Sequence, residues 1–126
     1  MKRSLPALLL LAACAVPQPG HGLGGTTWRL QGAEAPVPTL TFAPDGLSGA
    51  GFSGCNRFMG RVQPGADGAL RFMGVAGTMM VCEPGTDAQE ARVLEGLNNV
   101  RRIRRSADRL DMLGHDGAPL LEWRRG

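Results

Sequence analysis

Three cysteines, two histidines and a handful of carboxylates are the groups in this 126-residue chain that could do covalent or acid–base chemistry. A nucleophilic thiol needs a base within hydrogen-bond reach, and beyond residue 24 the one histidine is His115. It lies beside Asp116-Gly117, a turn signal that would hold it in solvent. Two isolated histidines, His21 and His115, also give no metal-ligand spacing. Glu83 and Glu90 could pair for acid–base work, but one reads as a loop charge and the other as a helix-start charge. Met73, Met79 and Met80 could form a soft metal site or an adaptable binding surface, although gap-filling in core and loops accounts for them more simply. The glycines between 49 and 60 lack the spacing, and the following helix, of a phosphate-cradling loop. Together these residues point to a protein with no catalytic constellation, no metal and no cofactor.

Cys14 has a different context from the other two cysteines. Lys2 and Arg3 precede a short apolar run, Leu5 to Ala13, interrupted only by Pro6, and Leu11-Ala12-Ala13-Cys14 has the form of a bacterial lipobox. The run is too short to cross a bilayer as a helix. The expectation is a signal peptide over 1–13, acyl chains on the Cys14 sulfur, and a flexible Pro- and Gly-rich tether over 14–24. An ordinary signal peptide cut elsewhere is the alternative. Ala15 stands where an Asp would signal inner-membrane retention in enteric bacteria. The expected location is therefore the bacterial cell envelope, at the outer membrane and facing the periplasm. Cleavage would remove Lys2 and Arg3, leaving twelve basic against eleven acidic residues. A domain this near neutrality gives no electrostatic case for nucleic acid.

Cys55 and Cys82 then remain as an even pair in an oxidising compartment, where a disulfide is expected. It would close a loop of about 28 residues, and chain entropy assigns it roughly 3–4 kcal/mol. Two buried thiols are the alternative. The least neutral surface feature is Arg101, Arg102, Arg104, Arg105 and Arg109. On a strand with Ile103 facing inward, Arg102 and Arg104 would point to solvent, with Arg101 and Arg105 near the strand ends. Such a strand is either an edge protected by charge or a contact for anionic lipid, lipopolysaccharide or an acidic envelope partner.

The elements that would position these groups read as short strands separated by turns. Thr27 to Leu30 is a candidate strand, and Thr39-Leu40-Thr41-Phe42 alternates polar with apolar. Asp-Gly recurs at 45–46, 67–68 and 116–117, each time between apolar segments: Phe58 to Val62 with Leu70 to Phe72, and Leu110 to Leu113 with Leu120 to Trp123. Ser106-Ala107-Asp108 is a further turn. Turns this frequent favour antiparallel pairing. One segment differs: Thr86-Asp87-Ala88-Gln89 has the form of a capping box. Ala91, Leu94 and Leu97, with Val93 alongside, follow at helical spacing to Asn98-Asn99. This predicts one amphipathic helix of about three turns, covering an open side of the sheet.

Gly54-Cys55-Asn56-Arg57-Phe58-Met59-Gly60 resembles the Gly-Cys-Asn-x-Phe/Tyr-x-Gly signature of the META domain (HslJ-like) family. Thr78-Met79-Met80-Val81-Cys82 is similar to its second signature, and Gly25-Thr26-Thr27-Trp28-Arg29-Leu30 to its opening strand. Glu90 and Leu97 fit its helix. The resemblance makes Trp28, Gly54, Asn56, Phe58, Gly60 and Thr78 structural motif residues. It implies a mainly β (α+β) fold over 25–126: a small antiparallel curved sheet or partly open barrel with one helix packed on it. The family brings no established catalytic residues. It implies an envelope lipoprotein, with an association with stress response, serving as a binding or envelope-maintenance module. A small-ligand carrier with a barrel-mouth pocket and a thiol- or His-dependent enzyme are the alternatives.

Overall fold

The computed structural model describes residues 22–126, together with Ser4. The signal-peptide segment, Cys14 and His21 lie outside the described residues. Eight strands and one helix follow one another: β1 (Thr27–Leu30), β2 (Thr39–Phe42), β3 (Ser48–Phe52), β4 (Arg57–Pro64), β5 (Leu70–Gly77), α1 (Thr86–Asn99), β6 (Arg102–Arg105), β7 (Arg109–Leu113) and β8 (Pro119–Arg125). The expected β1 and β2 appear with the bounds read from the sequence. In both, every second side chain is buried, as two-residue periodicity requires of a half-buried strand. The Asp-Gly turns form as expected. Gly46, Gly68 and Gly117 take positive φ, and the carboxylates of Asp45 and Asp116 accept from the backbone two residues on.

All pairings between the strands are antiparallel, in the order β5-β4-β3-β2-β1-β8-β7-β6. The sheet curls into a half-barrel whose edges, β5 and β6, meet only at one corner. There Ala69 bridges to Arg102, and Leu70 N donates to Arg101 O at 3.0 Å. The mainly β fold with a partly open barrel is thus what the chain adopts. Inside lie Trp28, Leu40, Phe42, Leu110, Met112, Leu121 and Trp123, all essentially without exposure. Both indoles find polar partners, as buried indoles do: Trp28 Nε1 donates to Thr26 Oγ1 (2.7 Å) and Trp123 Nε1 to Met112 Sδ (3.3 Å).

Helix α1 packs against β5 and β8. It departs from expectation in its inward face and in its N-cap. It runs 14 residues, close to four turns. Its inward face is Val93, Gly96, Leu97 and the following Val100, while Ala91 is exposed. A Cβ on Gly96 would come within 2.6 Å of Leu121 Cγ, so only glycine lets the helix approach the sheet this closely. The capping box does not form either. Gly85, at φ 92°, occupies the N-cap, and Thr86 Oγ1 donates back to Glu83 O (2.6 Å). Asn98 and Asn99 end the helix without entering the left-handed region.

The domain also begins earlier than expected. Leu23, placed by sequence in the tether, is fully buried, and Thr26 Oγ1 donates to its carbonyl (2.5 Å). One leucine among prolines and glycines has no periodicity to mark it as core.

Candidate functional site

The signature residues converge where the β3–β4 loop, the segment after β5 and the start of α1 meet. Cys55 and Cys82 are joined by a disulfide, with Cα atoms 5.6 Å apart. The bond ties the open end of the β4–β5 hairpin together just before the helix begins. Gly54, at φ 102°, lets the chain turn there, and a Cβ at that position would press on Gln89 Nε2 (2.8 Å). Gln89 is itself engaged, donating to the carbonyls of Glu34 and Pro36 (3.3 and 3.2 Å).

Asn56 is the hub. Its Oδ1 accepts from Thr78 Oγ1 (2.9 Å) and Met80 N (2.7 Å), and its Nδ2 donates to Met80 O (3.4 Å), Glu90 Oε2 (3.2 Å) and Cys55 Sγ (3.4 Å). Ser53, fully buried, accepts from Asn56 N (3.0 Å); its hydroxyl lies within donating distance of Asn56 O (2.9 Å) and Glu90 Oε1 (3.0 Å). Glu90 therefore serves as an acceptor for two buried side chains, not as half of an acid–base pair with the exposed Glu83. Phe58 is buried as expected, and Gly60 sits at an irregularity where the β4–β5 register shifts between Met59 and Arg61.

This network holds a loop that exposes apolar side chains. Met79, Met80 and Val81 are 96, 64 and 101 % exposed, and Met59 on β4 is 64 % exposed. Sequence reasoning assigned the methionines to gap-filling. Nothing in a three-residue apolar run distinguishes loop from core, and only the hydrogen bonds from Asn56 to Met80 decide it.

The remaining chemistry-bearing groups are placed as follows. Sγ of Cys55 and the carboxylates of Asp87 and Glu90 lie within 4.8 Å of one another, but a disulfide sulfur offers no thiolate to a metal. The same bond removes both cysteines as nucleophiles. His115 is exposed on the β7–β8 turn, at the rim of an open cleft of about 820 Å³ between that turn and α1. The half-barrel interior is filled by the core side chains.

The arginine cluster does not act as one surface. β6 is an edge strand, with Ile103 inward and Arg102 and Arg104 exposed. Arg101 Nη1 donates to Val100 O (2.8 Å) and Asn98 O (3.3 Å), closing the C-terminus of α1. Arg102 donates to Asp67 O. Arg109 pairs with Asp111 (2.9 Å) and Glu122 (3.1 Å), and those bonds raise its pKa. Arg105 donates to Gly22 O and lies over the Trp28 ring, 5.7 Å from its centroid. Arg125 lies over the same ring at 5.4 Å. Burial, and then the neighbouring Arg125 charge, lower the pKa of Arg105. Arg125 was not singled out by sequence, because the β1–β8 register that brings it opposite Trp28 spans the whole domain.

Solved structures share this architecture. A protein from Burkholderia xenovorans, solved by NMR, is 27 % identical, with a TM-score of 0.67 over 82 % of this chain and 83 % of that one. A DUF4847 family protein from Bacteroides vulgatus is 13 % identical at a TM-score of 0.58, covering 82 % and 94 %, and shares the fold alone. No curated protein matches the chain. The family model of the META domain matches residues 21–126, the span that contains the strands, the helix and the Asn56 network, and the chain belongs to the META domain family.

Proposed function

We propose that this protein is a non-enzymatic lipoprotein of the bacterial cell envelope whose META domain acts as a binding or envelope-maintenance module. The observation that carries the reading is the use made of the signature residues. Asn56, Ser53, Thr78, Glu90 and the disulfide spend their polar capacity on one another and present Met79, Met80 and Val81 to solvent. Exposed apolar groups on a stapled loop suit an adaptable protein contact, since methionine packs against varied shapes. A photo-cross-linking residue at Met79 or Val81 in intact cells should give a discrete adduct that the same residue at Arg71 does not. Identical adduct patterns at the two places would remove the loop from the binding reading.

The anchor is supported by the lipobox and by the short reach from Cys14 to the domain. Intact mass of the native protein should show a chain beginning at Cys14 and carrying acyl chains. An unmodified chain with another N-terminus would end the lipoprotein reading. An association with stress response, which the family resemblance implies, belongs to this proposal as the setting in which such a module would be needed.

A further inference from the structure

We propose that Met79 and Met80 form an oxidation site, converted to sulfoxides by a hypohalous acid, and that this turns the loop from an apolar surface into a polar one while the fold stays intact. The proposal deepens the binding reading of the loop, and only its consequence for a partner rests on that reading. The inventory of oxidisable groups points to the place. The chain has no tyrosine. Both indoles, Trp28 and Trp123, are fully buried, and Cys55 and Cys82 are already joined. Met112 is fully buried too, and its sulfur accepts from Trp123 Nε1 at 3.3 Å. The other methionines among the described residues, Met59, Met73, Met79 and Met80, are 64, 43, 96 and 64 % exposed. They lie on β4, β5 and the loop that follows β5. The soft sulfur that reaches solvent is thus gathered on one hairpin and its exit, and oxidation of methionine follows exposure.

The loop is held by groups other than its sulfurs. Asn56 bonds the main chain of Met80 twice, accepting from N (2.7 Å) and donating to O (3.4 Å). Thr78 N donates to Arg57 O (2.9 Å), the Thr78 hydroxyl to Asn56 Oδ1 (2.9 Å), and the disulfide fixes Cys82. None of these bonds uses the side chain of Met79 or Met80. A sulfoxide oxygen at either position therefore meets water and leaves the network whole. The sulfur lone pair attacks the halogen of hypochlorous acid and displaces hydroxide. Water then adds at sulfur, chloride leaves, and two protons are lost, one of them neutralising the hydroxide. The sum converts thioether and hypochlorous acid into sulfoxide, chloride and a proton, with sulfur oxidised and chlorine reduced. The product is a polar acceptor. A contact that buried the thioethers would lose apolar area and have to pair or hydrate each new oxygen.

The test begins with the native protein, its disulfide intact, titrated with hypochlorous acid and mapped by peptide mass spectrometry. One added oxygen is expected on each of Met79 and Met80 while Met112, Trp28 and Trp123 stay unmodified. Modification of Met112 or of either indole at the same dose as Met79 overturns the proposal. Thermal unfolding is followed in Met59→Leu with Met73→Leu, a volume-conserving pair that leaves the loop sulfurs as the exposed ones. Oxidation should move its melting temperature by no more than about three degrees, and a larger fall overturns the proposal. The consequence for a partner is read from a cross-linking residue at Val81 in intact cells given a brief dose of hypochlorous acid. The adduct on the wild-type loop should fall at least about tenfold. Met79→Leu with Met80→Leu, apolar but without sulfur, should keep its adduct. Equal loss in both, or an undiminished adduct on an oxidised wild-type loop, overturns the proposal. An adduct absent before oxidant is added would remove the binding reading instead, because the peptide map and the melting temperature involve no partner.

Discussion

Replacing Cys55 and Cys82 together by serine is expected to lower the melting temperature by more than about 10 °C, the shift that a loss of roughly 3 kcal/mol produces in a domain of this size. The bond joins residues separated by 27 positions and encloses the β4–β5 hairpin. β5 is an edge strand, with hydrogen-bonding partners on one side only along most of its length, so the hairpin depends on its staple more than a central pair would. Thermal unfolding followed by circular dichroism measures the shift, and the wild-type protein under strong reductant should reproduce it. Amide exchange should accelerate first in β5 and in the segment from Thr78 to Gly85. A variant that melts within two or three degrees of wild type, a range covering well under 1 kcal/mol, would show that the hairpin is held by its other contacts.

The second large effect is expected at Asn56. Asn56→Ala removes both acceptor bonds and all three donor bonds of the amide, leaving Met80 N without its side-chain partner and the Glu90 carboxylate with Ser53 alone. Unsatisfied buried groups cost about 1–3 kcal/mol each, so a loss of about 3 kcal/mol is expected by chemical denaturation. Asn56→Asp separates shape from hydrogen bonding. It preserves the acceptor for Thr78 and Met80 N but sets an oxygen where Nδ2 now donates, 3.2 Å from Glu90 Oε2. The expected loss is at least as large, and wild-type stability for Asn56→Asp would mean that the donor bonds contribute nothing. Both variants should also free the Met79–Val81 loop and abolish the cross-linking adduct proposed for it.

Some of this architecture is written locally and some is not. Strands β1 and β2 were legible because alternate burial leaves a two-residue pattern in four residues. The Asp-Gly turns were legible because positive φ narrows the residue choice. The disulfide followed from counting cysteines once Cys14 had been set aside. The helix was legible as an element, but its inward face was not: Ala91 fits the helical period as well as Gly96 does, and only the nearness of Leu121 selects the residue without a Cβ. The capping box failed because a Thr-x-x-Gln spacing does not reveal that Gly85 has already turned the chain. The arginines, contiguous in sequence, were separated by strand alternation and by partners from distant segments: Asp67 for Arg102, Gly22 and Trp28 for Arg105. Asn56 was legible as a motif residue through the family resemblance, while its reach to Thr78, Met80 and Glu90 depends on how three segments pack.

The position of β1 bears on when the domain can assemble. The first strand among the described residues lies between β2 and β8, the last strand. A ribosome or an export channel delivering the chain from its N-terminus therefore supplies β1 nearly a whole domain before its second neighbour exists. Until Arg125 arrives opposite Trp28, that indole lacks one of the cations that cover it and half of the sheet has no seam to join. Pairings between such distant segments slow folding. On the export route proposed for this protein, that delay would keep the chain threadable until translocation is complete, and the barrel would form afterwards in the compartment where the disulfide is made.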